Sequence, residues 1–321
     1  MTPTGSVFLA AVLVCCELLY LRVARHFGIV DTPNERSAHT GLAIIRGGGV
    51  LFWMAALVAF VHSGFVYAYF FAGLTLVAVV SFLDDLRSLA YQYRIGAHLV
   101  AVGLLLYQLD YPMPAFWVIG LLLLAGAGIL NAYNFMDGIN GITAFYSLVT
   151  VGTLWYTTLQ PASSQVIDSL LPNTFVALLV FSYFNARNQA ICFAGDVGSM
   201  SLAFIVLYAL AQFMITKQTW LPILFLAVYG VDSGLTIGQR LYRRQNIFRA
   251  HNLHLFQLLV HKRHWPHLRV ATLYSLIQVA INLLVLQALT WSFVGQTMTA
   301  VVVVGLLISV YVVVKVRLMN A

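Results

Sequence analysis

Charged residues are scarce in this sequence: Asp, Glu, Lys and Arg together make up 8% of the 321 residues. Soluble domains carry about a quarter, so an ordinary soluble domain is excluded. Hydrophobic residues account for 61% of the chain. They fall in blocks of roughly 17 to 20, the length that a helix needs to cross about 30 Å of hydrocarbon. The sequence therefore predicts an all-α, polytopic integral membrane helix bundle.

Cysteine is almost as scarce, with three residues. Cys15 and Cys16 fall in the first apolar block and Cys192 in a polar loop, which gives neither a disulfide framework nor a metal-binding spacing. The N-terminus lacks a basic stretch ahead of its apolar run, so we expect the first block to remain as a helix rather than to be removed as a signal peptide. No fixed-period repeat or low-complexity tract divides the chain, which indicates one membrane-embedded domain over residues 1–321.

The apolar blocks predict about eleven membrane-spanning helices. The predicted ranges are residues 5–21, 48–63, 66–82, 95–109, 115–131, 143–159, 172–186, 199–216, 219–237, 270–289 and 297–314. The start of the fourth helix is ambiguous, because residues 91–94 fit either that helix or the loop before it.

Basic residues indicate how the bundle lies in the membrane, because they stay on the cytoplasmic side of short loops. With the N-terminus outside and the C-terminus in the cytoplasm, all of the 17 Lys and Arg residues except Lys217 fall inside, and Lys315 and Arg317 form an inner tail. The Asp, Asn, His and Gly clusters fall in the same inner loops. We therefore expect the active site to face the cytoplasm.

Two inner clusters are acidic. Asp84 and Asp85 are adjacent at a predicted helix end, where neighbouring side chains point about 100° apart, so we expect one to face a ligand and the other to hold a neighbour. A solvated loop is the alternative. Asp196 fits either a helix N-terminal turn or a Mg²⁺ ligand, because Mg²⁺ favours a few carboxylate or amide oxygens together with substrate phosphates.

Amides and glycines occupy two further inner segments. Asn131, Asn134 and Asp137 recur every three residues, which places them near one helical stripe, with capping of the helix end as the alternative. Arg46 precedes three glycines, including Gly48. These glycines either form a flexible start to a helix or bring backbone amides to a pyrophosphate.

Two histidines and two isolated carboxylates remain. His251 and His254, near Arg249, are expected to share one helix face and to bind substrate. A basic surface patch for anionic lipid is the alternative. Glu17 and Asp232 lie within apolar blocks, which makes them functional candidates by position. Each also lies near a helix end, from which it could reach an interface.

Five ordered motifs together resemble the polyprenyl-phosphate N-acetylhexosamine-1-phosphate transferases. They are DTPNERSAH with RGGG at 31–49, DDLRSL at 84–89, NAYNFMDGINGI at 131–142, GDVGS at 195–199 and HNLHLFQLL at 251–259. The histidine spacing is similar to the bacterial branch that initiates O-antigen lipid precursors, not to the muramoyl-pentapeptide branch. The resemblance implies a multi-pass enzyme of the bacterial inner membrane that transfers N-acetylhexosamine-1-phosphate from a UDP-sugar to undecaprenyl phosphate.

The resemblance also implies a role for each motif residue. Catalysis is assigned to Asp84, Asp85 and Asp196; Mg²⁺ binding, with Mn²⁺ as a substitute, to Asp196 and Asn134; and substrate binding to Asn131, Asp137, Arg46, Gly48, His251, His254 and Arg249. A homodimer is compatible with the family, and nucleic acid is not an expected partner.

The sequence departs from the family at three places: Asn140 replaces an acid, Ser37 replaces a lysine, and residues 41–45 lack prolines.

A transporter or a flippase of lipid-linked glycans is the competing interpretation. Such proteins place ionisable groups and broken helices near the bilayer centre. Here the acids are mostly at the inner helix ends, and only scattered amides such as Gln212 and Gln278 lie in mid-helix. The pattern therefore favours the transferase.

Overall fold

The computed structural model describes residues 3–31, 44–112, 115–159, 169–246 and 251–319, and within these ranges the chain is almost wholly helical. The helices are α1 (Pro3–His26), α2 (Val50–His62), α3 (Ala68–Leu86), α4 (Tyr91–Gln108), α5 (Phe116–Met136), α6 (Ile142–Thr158), α7 (Leu170–Asn185), α8 (Gly195–Lys217), α9 (Ala227–Tyr242), α10 (Leu255–Arg263), α11 (His267–Ala288) and α12 (Phe293–Met319). A 3₁₀ helix, Leu221–Leu226, precedes α9. Two short strands, β1 (Val30–Asp31) and β2 (Ile44–Ile45), pair antiparallel.

The predicted all-α, polytopic class is confirmed. Seven described helices are long and apolar enough to cross a membrane, and α2 and α7 are shorter apolar helices. The count of eleven spans and their orientation stay predictions. Two differences stand out: the ninth predicted helix is divided, because its first residues form the 3₁₀ helix, and α10 is an additional helix of nine residues, too short to span.

Helix α8 is the centre of the bundle. In its most apolar 18-residue stretch 72% of the residues are buried, against 22% for α5 and for α12. It packs against α2, α3, α5 and α6. A helix that is apolar on all sides is expected where neighbours surround it. The first turn of α8, which contains Asp196, is therefore held from several directions.

Glycines set the crossing of α2 and α8. A Cβ on Gly49 would lie 2.3 Å from the Cα of Gly198, and a Cβ on Gly198 would lie 2.6 Å from the Cα of Gly49. The backbones of the two helices therefore lie very close together, as is common in membrane bundles where small residues face each other. The interpretation of the triple glycine as a flexible helix start was therefore wrong, because these glycines fix a tight contact.

Three ionisable side chains lie deeper than the sequence indicated. Glu17 and Asp232 are 0% and 2% exposed, so the alternative that they reach an interface was wrong for both. Lys315, expected in an inner tail, is 4% exposed, because α12 continues as a packed helix to Met319. Arg317 is exposed, as expected for a residue of that tail.

Candidate active site

Asp85 joins the end of α3 to the start of α8. Its fully buried carboxylate accepts hydrogen bonds from the backbone N–H groups of Asp196 (2.9 Å) and Val197 (3.0 Å). The first N–H groups of a helix lack partners within the helix and carry partial positive charge, so a carboxylate stabilises them. Arg46 Nε lies 2.7 Å from Oδ1 of the same carboxylate. Asp85 is thus the member of the aspartate pair that holds a neighbour.

Asp84 has different partners, as expected for adjacent residues of one helix. Its Oδ1 accepts a hydrogen bond from the backbone N–H of Leu89 at 2.7 Å, and its Oδ2 lies 2.8 Å from Nη1 of Arg94. Arg94 Nη2 is 3.3 Å from Oδ2 of Asp196, and Arg46 Nη2 is 3.1 Å from Oδ1 of Asp196. We refer to these groups as the acid–arginine cluster: Asp84, Asp85, Asp196, Arg46 and Arg94.

The two guanidinium groups of the cluster remain accessible. The side chains of Arg46 and Arg94 are 33% and 26% exposed. Burial lowers the pKa of Arg46, but the carboxylates of Asp85 and Asp196 raise it, and the net pKa lies above its usual value. Arg46 is therefore a permanent cation, and guanidinium groups suit the recognition of phosphate oxygens.

Gly48, the second of the three glycines after Arg46, does not present a free amide. The N–H of Gly48 donates to the carbonyl oxygen of Phe193 at 2.9 Å. A Cβ on Gly48 would lie 2.5 Å from Sγ of Cys192 and 2.7 Å from Oε1 of Glu17. The absence of a side chain therefore serves packing. The predicted contact of Gly48 with substrate would require its amide to leave Phe193.

The last turns of α5 carry Asn131 and Asn134, and Asp137 follows the end of the helix. Ser199 in α8 donates its hydroxyl to Oδ1 of Asn134 at 2.9 Å, which places that amide beside the first turns of α8. Asn131 donates Nδ2 to a carbonyl oxygen one turn back in its own helix at 2.7 Å. Asn134 is thus directed at α8, whereas Asp137 is the C-cap of α5 and lies outside the helix on which the amide stripe was predicted.

Asp137 adjoins the acid–arginine cluster. Loss of hydration raises the pKa of this carboxyl to about 6, the 2.6 Å hydrogen bond from the hydroxyl of Thr143 opposes the rise, and the negative charge of Asp196 adds to it. The hydrogen bond between Ser199 and Asn134 places the end of α5 and the start of α8 at one site.

Asn140 explains one departure from the family pattern. Its Nδ2 donates to the carbonyl oxygens of Arg187 (2.8 Å) and Asn188 (3.2 Å). An ionised aspartate has no proton to donate and would oppose both carbonyl oxygens. The amide at this position therefore fastens the loop after α7 to the loop after α5.

His251 and His254 lie beside the end of α5. Their ring centroids are 4.9 Å apart, and each is 6.4 Å from that of Phe135. The prediction that they share a helix face was wrong, because His254 is the N-cap of α10 and His251 precedes the helix. His254 is 1% exposed, which excludes a surface lipid patch for this residue. Arg249 lies outside the described residues.

Asp232 of α9 organises the histidine segment. Its Oδ1 accepts a hydrogen bond from the backbone N–H of Leu255 at 2.9 Å and lies 3.4 Å from Nδ1 of His254. Its Oδ2 accepts the hydroxyl hydrogen of Tyr274 at 2.8 Å. A carboxylate at this position stabilises the N-terminus of α10. It also lies beside the imidazole of His254, whose two buried ring nitrogens make no hydrogen bond to any described residue.

Arg94 and Asp232 are the residues that sequence reasoning left out of the site. Arg94 appeared only as an inner-loop cation, because nothing local indicates that its side chain reaches Asp196 at the start of α8. Asp232 carried a signal, since a carboxylate within an apolar block is a functional candidate. Its partner His254 is 22 residues away in the chain, so sequence alone could not pair them.

Oxygen ligands suitable for a hard cation are present at the cluster. Asp84 and Asp196 contact the same guanidinium group, and the amide oxygen of Asn134 lies one hydrogen bond from α8. Within the described ranges, no group of three or more His, Cys, Asp or Glu residues forms a metal cage. The donors therefore fit an ion such as Mg²⁺, which takes few protein ligands and completes its shell with water and substrate phosphates.

Comparison with known proteins gives a consistent result. The family model for glycosyl transferase family 4 matches residues 67–214, which include the three aspartates of the cluster and the amide stripe but neither Arg46 nor the histidines. The chain is 24% identical over 267 residues to a probable undecaprenyl-phosphate N-acetylglucosaminyl 1-phosphate transferase of Bacillus subtilis (strain 168), covering 74% of this chain and 72% of that protein.

Two further relatives extend the comparison. The undecaprenyl-phosphate alpha-N-acetylglucosaminyl 1-phosphate transferase of Escherichia coli (strain K12) is 28% identical over 216 residues, 60% of this chain and 57% of that protein. A phospho-N-acetylmuramoyl-pentapeptide-transferase of Streptococcus equi subsp. zooepidemicus (strain MGCS10565) is 27% identical over 255 residues, 68% and 70% of the two chains. Residues 67–214 of the chain are thus similar to glycosyl transferase family 4, in agreement with the resemblance that the motifs indicated.

Proposed function

We propose that this protein transfers N-acetylhexosamine-1-phosphate from a UDP-sugar to undecaprenyl phosphate. The reaction releases UMP and forms the lipid-pyrophosphate sugar with which a cell-envelope glycan begins. The observation that supports it best is the acid–arginine cluster, which gathers three carboxylates and two partly exposed guanidinium groups at the ends of α3, α4 and α8. The relatives named for this reaction support the choice of donor and acceptor.

The reaction is a displacement at phosphorus. An oxygen of the lipid phosphate attacks the sugar-linked phosphorus of the donor, the bond from that phosphorus to the bridging oxygen breaks, and UMP leaves with the bridging oxygen. The acceptor monoester has a second pKa near 6, so it is mostly dianionic at neutral pH. The main barrier is repulsion between anions, and catalysis depends on alignment and neutralisation of charge.

The residues of the cluster divide these tasks. Arg46 and Arg94 are partly exposed cations and bind phosphate oxygens as they develop charge. Asp85 fixes the first turn of α8, and Asp84 holds Arg94 in place. Asp196 receives both guanidinium groups and therefore lies where donor and acceptor phosphates would meet.

Mg²⁺ is the cofactor that these donors fit, with Mn²⁺ as a substitute. Asp196 and Asn134 would hold it, and Asp84 offers a further carboxylate oxygen. When bound, a divalent ion neutralises phosphate charge and helps to orient the two substrates.

The histidines are proposed to contact the phosphates or the sugar of the donor. We expect His251→Ala and His254→Gln to lower kcat/KM for the UDP-sugar by roughly tenfold to a hundredfold, because the loss of a hydrogen bond to a charged group costs about 1.5 to 3 kcal/mol. The measurement is kcat/KM at saturating lipid acceptor. Arg263→Ala, an exposed basic residue of α10, is the control. Values for both histidine variants within about twofold of that control would remove the histidines from the site.

The site is proposed to face the cytoplasm, in the inner membrane of a bacterium. In a variant whose native cysteines are replaced by serine, Ser164→Cys should react with an impermeant maleimide on intact cells. Arg243→Cys should react only after the membrane is permeabilised. Labelling of the Arg243 position in intact cells would reverse the topology.

A panel of donors tests the function itself. Purified protein with undecaprenyl phosphate, Mg²⁺ and each of several UDP-sugars should release UMP with at least one N-acetylated hexosamine. Omission of the lipid should abolish that release. A flippase or transporter would release UMP from none of the donors, and that outcome would overturn the proposal.

A further inference from the structure

A hydrogen-bonded chain leads from the last helix to the histidine segment. It starts at Lys315 of α12, whose Nζ donates to the hydroxyl of Tyr311, one turn earlier in α12, and to Oγ1 of Thr236 in α9 at 3.2 Å. Tyr311 and Thr236 are themselves 2.7 Å apart, oxygen to oxygen. Thr236 Oγ1 then donates to Oδ1 of Asp232 at 3.4 Å.

The donor and acceptor capacities make this chain directional. A threonine hydroxyl can accept two hydrogen bonds and donate one. If Thr236 accepts from Lys315 and from Tyr311, its own hydrogen is left for Asp232. Every hydrogen bond in the chain then points toward the carboxylate, and the successive hydrogen bonds of such a chain polarise one another. The ammonium group is separated from the carboxylate by a single hydroxyl.

The same carboxylate lies beside His254, whose buried ring nitrogens make no hydrogen bond within the described part of the chain. Asp232 accepts the backbone N–H at the start of α10 and lies 3.4 Å from Nδ1 of His254. A buried carboxylate needs a compensating cation or several donors, because desolvation of a charge is costly. Lys315 supplies a cation that reaches the carboxylate through Thr236, whose hydroxyl donates to Oδ1, the same oxygen that lies near His254.

A second contact joins the end of α12 to α10, the helix whose N-cap is His254. Lys262 of α10 donates Nζ to the carbonyl oxygen of Leu318, in the last turn of α12, at 2.9 Å. A lysine at a helix C-terminus satisfies one of its free carbonyl groups and complements its negative end. The end of α12 is thus fastened to α10 directly and through the chain to Asp232.

We propose that Lys315 is a positioning residue for His254: acting through Tyr311, Thr236 and Asp232, it holds the imidazole and the start of α10 at the active site. A lysine of α12 thereby contributes to donor use. The inference rests on the proposed function only in assigning His254 to the donor.

The first test compares two basic residues near the end of α12. Lys315→Met should lower kcat/KM for the UDP-sugar about tenfold, whereas Arg317→Met, an exposed position of the same helix end, should match wild type within about twofold. Thr236→Val should reproduce the loss and Thr236→Ser should restore activity, because only the hydroxyl is needed. These threonine variants also answer the question if Lys315→Met does not fold.

The second test asks whether Lys315 acts through the histidine. In a His254→Gln background, Lys315→Met should change kcat/KM by less than about twofold, because neighbours in one network are not additive. Equal losses in both backgrounds would show that Lys315 only stabilises the bundle, and would overturn the proposal. So would wild-type values for Thr236→Val.

A readout without turnover separates this inference from the proposed function. In protein labelled with ¹⁵N-histidine, the ring signals of His254, assigned from His254→Gln, should move in Lys315→Met and Thr236→Val and stay in place in Arg317→Met. If the His254 signals shift in a protein that releases no UMP, the hydrogen-bonded chain is supported and the proposed function is contradicted. Unshifted signals in an active enzyme would reject the chain alone.

Discussion

Asp196→Asn should lower kcat/KM by at least about a hundredfold while the protein still folds. The substitution keeps the shape of the side chain and removes its charge. Asp196 is the carboxylate that both Arg46 and Arg94 contact, and it is the proposed Mg²⁺ ligand. Substitution of groups that merely support a metal ligand costs 10- to 100-fold, so loss of the ligand itself should cost at least as much.

The matched control for this substitution is Asp110→Asn. Asp110 is exposed in the connection between α4 and α5, and its φ of 47° is one that asparagine adopts readily. Turnover should be measured across a Mg²⁺ titration for both variants. Asp110→Asn should follow the wild-type curve, and Asp196→Asn should need far more Mg²⁺ or show no activity. A wild-type Mg²⁺ curve for folded Asp196→Asn would remove Asp196 from the metal site.

Asp85→Ala should destabilise the fold, in contrast to Asp84→Ala. The carboxylate of Asp85 is fully buried, accepts two backbone N–H groups of α8 and pairs with Arg46. Removing the carboxylate leaves two backbone N–H groups of α8 without a partner, and each buried unpaired donor costs about 1 to 3 kcal/mol. Heating of the detergent-solubilised protein should therefore show a midpoint lower by roughly 10 °C.

Asp84→Ala provides the comparison. Asp84 contacts Arg94 and one loop N–H, and it does not cap α8. This variant should unfold within a few degrees of wild type and lose most of its turnover, because Arg94 is no longer held at the cluster. Similar midpoints for the two variants would contradict the separate roles of the two aspartates.

The class of fold followed from the sequence for a simple physical reason. Apolar blocks of spanning length can be solvated only by lipid, and every backbone group must then be satisfied within helices. The order of the motifs also predicted which helix ends carry polar groups. Periodicity could not predict how deeply each side chain is buried. Lys315 was expected in a tail, yet it is buried against Thr236 because α9 and α12 pack together.

The site shows the same division between local and non-local information. The differing directions of Asp84 and Asp85 follow from helix geometry, which is local. The bridge from Arg94 to Asp196 spans 102 residues of sequence and depends on the packing of α3, α4 and α8. The glycines of Arg46-Gly47-Gly48-Gly49 resembled an anion-binding loop, but two of their amides are used by residues 193 and 194. The same composition serves close packing and phosphate binding, and only tertiary structure separates them.

The fate of the donor's second phosphate shows whether the enzyme transfers a sugar phosphate or only a sugar. A UDP-sugar labelled with ³²P at the sugar-linked phosphate should be incubated with the protein, Mg²⁺ and undecaprenyl phosphate, and the lipid and aqueous phases separated. Transfer of a sugar phosphate predicts the label in the lipid and unlabelled UMP in water, in equal amounts. Label that remains in water as UDP while sugar enters the lipid, or label that remains in intact donor, would contradict sugar-phosphate transfer.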